Sequence, residues 1–314
     1  MTDFDFPRLD RGAKHQQSLR IDSACELPVL AVMGPQAGPT LVVTAGVHGD
    51  EYEGVRAIYE TFDELDPSQL RGALLAVPVM NPPAHRACTR TSPVDGANLA
   101  RVFPGDANGT LSQRIAWHVA HRIIAHASFY LDLHSGGIRY RMPSMVGFDA
   151  NDPRGRNAAE VFGAPCIWAH PVIEPGRTIS FAHNRGIPFL YTEARGAGRI
   201  HRDDLCMMRN GIHNLLCHLA ILDQPCVPAA RPLRLKGAGN TDVGIAASAS
   251  GFLISDAAVL DRVRAGQRLG RLTDLHGRTL EEYPAPCDGV VGLVREMPAV
   301  DAGDTLYLLA EEDA

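Results

Sequence analysis

Short apolar runs bounded by glycine and proline recur through the first two thirds of the chain, and helical stretches separate them. Residues 28–33 (PVLAVM), 40–47 (TLVVTAGV) and 73–79 (ALLAVPV) are short, mostly apolar runs. Runs of that length and composition belong to strands buried on both sides of a sheet. Further short strands are expected at 129–133, 145–148, 166–170 and 187–192. Helical spacing, with acidic residues early, predicts a helix over 50–62, and others follow at 111–127, 153–163 and 203–222. Strands alternating with helices predict an α/β fold, a sheet covered by helices on both faces. With 45% hydrophobic residues the chain has enough apolar surface to fill such a core.

The texture changes after residue 223. Residues 224–240 are rich in proline and glycine and read as a linker. Beyond Thr241 come short apolar runs separated by glycine turns (GFLI, QRLGRL, GVVGLV, DTLYLL), which predict a small all-β module. The division expected is a catalytic domain over 1–225 and a β module over 226–314. Residues 81–110 form a long stretch of Pro, Asn, Gly and Arg with little periodicity. A loop of that length in a compact domain is usually functional.

The net charge of -6, without a basic stripe, argues against nucleic acid as the partner. The seven cysteines are odd in number and none is spaced Cys-x-x-Cys, which fits scattered reduced thiols. The N-terminal residues 1–20 are polar and lack a signal-type apolar core, and no segment has the apolar length of a membrane span. A cytoplasmic protein is expected.

Three clusters sit just beyond predicted strands, where open α/β sheets bind their ligands. In Gly46-Val47-His48-Gly49-Asp50-Glu51, His48 ends a strand and Glu51 follows three residues later. In Leu131-Asp132-Leu133-His134-Ser135-Gly136, His134 also ends a strand. His48, Glu51 and His134 make a His2Glu set, the ligation of a catalytic zinc with one open position, and one zinc per chain is expected. Glu193, after the strand IPFLY, can relay a proton from water to a leaving amine. Each piece alone has a bland reading: a chance His-x-x-Glu, a satisfied core histidine, a plain Glu193–Arg195 ion pair. Together, in this order, they point to a zinc hydrolase. Asp132 lies on the same strand face as His134 and is read equally as a partner for its imidazole or as a cap for a backbone N–H. His118, His121 and His126 share one predicted helix and are assigned surface or packing roles, while the places of His170 and His183 are left open.

This order of motifs resembles the succinylglutamate desuccinylase/aspartoacylase family, over most of the chain. The resemblance implies a mixed-sheet, zinc-carboxypeptidase-like α/β/α domain followed by a small lipoyl-like β module. It identifies residues 46–54 (GVHGDEYEG) with the family's zinc motif and residues 81–105 with its substrate loop. It implies that Arg90 polarises the scissile carbonyl, that Arg101 grips a substrate carboxylate, and that Glu193 is the catalytic acid/base. The chain departs from the family where Asn-Leu-Asn-Arg reads Asn98-Leu99-Ala100-Arg101. Asn98 and Arg195 are the candidates to replace the lost carboxylate contact, with an ion pair to a surface acid as the alternative for Arg195. No lysine follows Lys236, so the β module cannot be a lipoyl or biotinyl carrier. It is expected to wall the site and to offer an oligomer contact. The activity implied is hydrolysis of a small N-acyl amino acid or related N-acyl compound, without nucleic acid or membrane as partner. A metallocarboxypeptidase acting on short peptides and a non-catalytic binding protein on the same fold are the rival readings.

Overall fold

The computed structural model describes residues 4–227 and 231–313. Residues 1–3 of the polar N-terminal segment, 228–230 of the expected linker and 314 of the β module lie outside the described residues.

The strands of the first region are β1 (Ala13–Arg20), β2 (Glu26–Met33), β3 (Gln36–Ala45), β4 (Arg71–Val77), β5 (Phe129–Ser135), β6 (Tyr140–Arg141), β7 (Met145–Asp149), β8 (Cys166–His170) and β9 (Phe189–Ala194). Next comes β10 (Leu233–Lys236). The helices are α1 (Glu53–Glu64), α2 (Pro82–Ala87), α3 (Leu111–Arg122), α4 (Pro153–Phe162), α5 (Thr178–Asn184) and α6 (Arg202–His218). The main sheet runs in the order β1-β2-β4-β3-β5-β9-β7-β8-β10. It is mixed: β4, β3, β5 and β9 are parallel neighbours, and β7 runs antiparallel to β9.

The apolar strands are buried on both faces because alternate residues feed two cores. On β3, Leu41, Val43 and Ala45 pack with Ile58 of α1, Ala158 of α4 and Ile212 of α6. Val42 points the other way, into a core with Ile115 of α3 and Ile179 of α5. The expected α/β sheet with helices on both faces is therefore the fold observed.

The stretch read as a linker contains a strand. β10 pairs in parallel with β8 and antiparallel with the strand Thr305–Glu312, so the main sheet continues into the C-terminal region. Its proline-rich flanks hid it, and Leu235, its one buried apolar residue, packs beside Trp168 and Cys166. A separate antiparallel sheet of Gly251–Ser255, Arg268–Thr273, Thr279–Pro284 and Ala299–Val300 completes the β module around its own core. Among the described residues no helix is long and apolar enough to cross a membrane. All seven cysteines are free.

Candidate metal centre and active site

His48 and His134 are delivered by neighbouring strands. β3 and β5 are in parallel register, Ala45 opposite Leu133, so the turn after β3 and the end of β5 lie side by side. Gly46 adopts a positive φ of 62° at that turn, a backbone conformation that glycine takes without strain. Glu51 follows at the entry to α1 and is almost fully buried, at 3% exposure, between the two imidazoles.

The hydrogen bonds fix how both rings face. His48 Nε2 lies 3.1 Å from Asn98 Oδ1, and His134 Nε2 lies 3.0 Å from Asp132 Oδ2. Both partners are oxygen acceptors, and a neutral imidazole has only one proton to share between its two nitrogens. His48 Nδ1 sits 2.6 Å from Glu51 Oε1, and His134 Nδ1 sits 2.9 Å from Glu51 Oε2. Each ring thus meets an oxygen acceptor at both nitrogens, and a second proton or a cation shared with Glu51 satisfies the contact at Nδ1. One nitrogen from each imidazole and one oxygen of Glu51 lie within 4.8 Å of one another, a group that could hold a metal ion. The electrostatics agree. Burial alone would lower the His134 pKa, but the Asp132 and Glu51 carboxylates outweigh it and raise it, so positive charge is favoured there. Burial, reinforced by Arg90, holds His48 neutral, with a pKa pushed down to about 4.

Asp132 is the orienting partner, not a backbone cap. It is fully buried and accepts from His134 and from the hydroxyls of Thr44, at 2.7 Å, and Thr178. Tyr130 OH bonds Thr44 Oγ1 in turn at 2.6 Å.

Glu193 is the penultimate residue of β9, with its Cα opposite that of His134. Its Oε2 is buried and has no hydrogen-bond partner. Burial first, and the nearby Glu51 second, push its pKa up to about 8. Arg90 reaches the site from the long loop, its Nη1 3.3 Å from His48 Nδ1 and 3.5 Å from Glu51 Oε1.

These groups open into a cavity of about 110 Å³ lined by His48, Arg90, Arg101, His134 and Glu193, with Trp168, His170, Arg177, Tyr191 and residues 238–241 as its far wall. His170 thus lines the site: its Nδ1 donates to the Gly237 carbonyl at 2.9 Å and its Nε2 accepts from Tyr191 OH at 2.7 Å. His183 instead pairs with Asp149 at 3.0 Å.

Two expected substrate contacts are placed elsewhere. Asn98 does not line the cavity; its Oδ1 lies 3.1 Å from His48 Nε2 and accepts from the Ala100 N–H. Arg195 lies outside the cavity because its Nε bonds both oxygens of buried Asp204 at 3.1 Å, with a looser contact to Asp203. The ion-pair alternative holds for Arg195, with a buried acid as the main partner. Arg101 does line the cavity, but its fork is held by Asp242 of the C-terminal region, at 2.9 and 2.8 Å. Thr44, Thr178, Arg177, Tyr191 and Asp242 were not singled out from sequence. Each acts on a partner distant in the chain, and no local spacing marks it.

The fold and site together define a hydrolase with a candidate metal centre at the ends of parallel strands. Residues 37–219 match the Succinylglutamate desuccinylase/Aspartoacylase catalytic domain. The chain belongs to the succinylglutamate desuccinylase/aspartoacylase family. It is 32% identical, over 92% of its own length and 86% of the relative's, to the N-alpha-acetyl-L-2,4-diaminobutyric acid deacetylase of Halomonas elongata. The crystal structure of a succinylglutamate desuccinylase/aspartoacylase from Rhodobacter sphaeroides superposes with a TM-score of 0.88 at 29% identity, covering 100% of this chain and 99% of that one. The product-bound Ectoine utilization protein EutE (DoeB) from Ruegeria pomeroyi gives 0.85 at 27% identity, covering 96% of each chain.

Proposed function

We infer that the protein hydrolyses the amide bond of a small N-acyl amino acid, using one zinc ion per chain held by His48, Glu51 and His134. The observation that carries this reading is the pair of Nδ1 atoms turned onto one buried carboxylate, with the unpartnered Oε2 of Glu193 on the neighbouring strand. Two imidazoles and a carboxylate suit zinc, which when bound supplies Lewis-acid polarisation of the carbonyl and lowers the pKa of water.

The chain's own residues supply the rest. Glu193, on the strand beside His134 and with its Oε2 free of any other partner, is placed to accept a proton from the attacking water and return it to the departing amine nitrogen. Arg90 stands where its guanidinium can donate to the oxyanion that develops at the carbonyl. Arg177, on the cavity wall, is the cation for the substrate's carboxylate. Trp168, Ile179 and Met142 give the cavity apolar walls that exclude bulk water. We place the boundary between catalytic domain and β module at residues 225 and 226. The segment 238–241 of that module narrows the cavity, which favours small substrates over peptides. The free thiols support a cytoplasmic setting, and the exposed module is the surface available for contact between copies of the chain.

The relative from Halomonas elongata makes an N-acetylated diamino acid the first substrate to try. The test is metal content on the purified protein together with amine release from a panel of N-acyl amino acids. One zinc per chain, with hydrolysis lost on chelation and restored by zinc, is expected. Hydrolysis indifferent to chelation would overturn the ligand assignment.

A further inference from the structure

The C-terminal region inserts a carboxylate of its own beside the cavity. Residues 241–243 form a single 3-10 turn, capped by Asn240, whose Oδ1 accepts from the Asp242 N–H. That turn aims Asp242 at Arg101. Arg101 Nε donates to Asp242 Oδ2 at 2.9 Å and Nη2 donates to Oδ1 at 2.8 Å, a two-pronged pair. Arg101 Nη1 is spent on the Ala100 carbonyl at 3.0 Å. Gly176 packs against the Arg101 backbone, where an added Cβ would lie 2.6 Å from its carbonyl oxygen, so the arginine is fixed from behind.

Arg177 is held differently. Its Nη2 donates to Asn240 Oδ1 at 2.9 Å, a neutral partner, and its closest approach to Asp242 is 3.8 Å. Of these two arginines, Arg101 is matched by a carboxylate on both prongs, and Arg177 has only a neutral partner within hydrogen-bond distance.

Building on the function inferred above, we propose that Asp242 is a specificity-determining residue: it occupies the fork of Arg101 and so denies that arginine to ligands carrying a second carboxylate. A ligand with one carboxylate finds Arg177. A ligand with two must displace Asp242 or leave its second charge facing a neutralised pair. Loss of the asparagine at Ala100 fits the same logic, since a carboxylate site at Arg101 no longer needs a second donor.

Butyrate and succinate have equal carbon counts and differ by one carboxylate, so their ratio of affinities reads the effect. Ligand-observed NMR titrations on the zinc-loaded full chain are expected to give comparable Kd values for the two. Asp242→Asn is expected to tighten succinate about fivefold and leave butyrate unchanged. Adding Arg101→Met to that variant is expected to erase the gain, and Asp242→Glu to keep the parent's ratio. An unchanged succinate-to-butyrate ratio in Asp242→Asn overturns the proposal. If that variant does not fold, Asp242→Ser decides by the same ratio: a rise in succinate affinity relative to butyrate supports the proposal, and an unchanged ratio overturns it. These ratios do not depend on turnover. A chain that cleaves no N-acyl amino acid sinks the hydrolase reading while the ratios still report on Asp242.

Discussion

Each imidazole at the site has one nitrogen committed to an oxygen acceptor, and that commitment aims the other. Asp132 accepts from His134, Thr44 and Thr178 at once, three donors on one buried carboxylate. An asparagine there would turn an NH2 group against donors on one side. Asp132→Asn is therefore expected to weaken zinc binding about 10- to 100-fold, read by chelator competition. Unchanged zinc affinity would mean that His134 is oriented by packing alone. Glu193→Gln should behave in the opposite way. The ligand atoms are untouched, so metal content stays at the parent's level, while kcat falls by about 10²- to 10⁴-fold because no group moves the proton. His48, Glu51, His134 and Glu193 were legible in the sequence because each lies at the end of an apolar strand or within a few residues beyond it. Thr44 and Thr178 were not. Their partner lies 88 and 46 residues away, and a threonine on a strand or at a helix start has ordinary reasons to be there.

Among the elements, the long loop over residues 81–110 was legible as functional but not in how it is held. It carries α2, a 3-10 turn at Leu99–Arg101 and both Arg90 and Asn98. Asp95 ties it to the start of α3: its carboxylate accepts from Ser112 N at 2.8 Å, Ser112 Oγ at 2.9 Å and Ala97 N at 3.2 Å. Thr110 and Gln113 form a capping box at the same helix end. Burial alone would raise the Asp95 pKa, but the bonds from Ser112, Thr110 and Ala97 outweigh it and hold it below the ordinary carboxylate value. A depressed carboxyl contributes stability that is full above its unfolded pKa, near 3.9, and is lost as pH falls through the folded value. Asp95→Ala is expected to cost about 1–2 kcal/mol at neutral pH by denaturant melts, with the difference from the parent shrinking below pH 4. The strands with continuous apolar runs were read within a few residues. β1 was not, since its sequence AKHQQSLR is an edge strand with one buried residue, Leu19. Nor was α5, whose seven residues are too few to establish a helical period.

At the scale of the whole molecule, the catalytic sheet and the β module meet through β8, β10 and the strand Thr305–Glu312, and His170 stands at that seam. It ends β8, bonds the carbonyl of Gly237 just beyond β10, and holds the Tyr191 hydroxyl that lines the cavity. Its ring stacks on Tyr191 at 5.5 Å between centroids, and an added Cβ on Gly239 would lie 2.3 Å from it, so the wall segment is packed directly on the imidazole. Burial is the main reason its pKa is pushed down to about 4; Arg177 adds to this, and the Gly237 carbonyl and Asp149 oppose it. The folded protein thus keeps His170 neutral through a range in which the unfolded chain, near the ordinary 6.5, takes up a proton. The stability contributed is full above pH 6.5 and is lost as pH falls toward 4. His170→Gln keeps a donor and an acceptor but loses the flat ring that stacks on Tyr191 and fills the space against Gly239, and it does not titrate. It is expected to melt below the parent at pH 7.5, with a raised KM because residues 238–241 are less firmly placed. The gap in Tm between parent and variant is then expected to narrow steadily from pH 6.5 to 4. A gap that widens over that range would mean that the folded protein binds the proton more tightly than the unfolded chain, and that His170 joins the two regions as a cation.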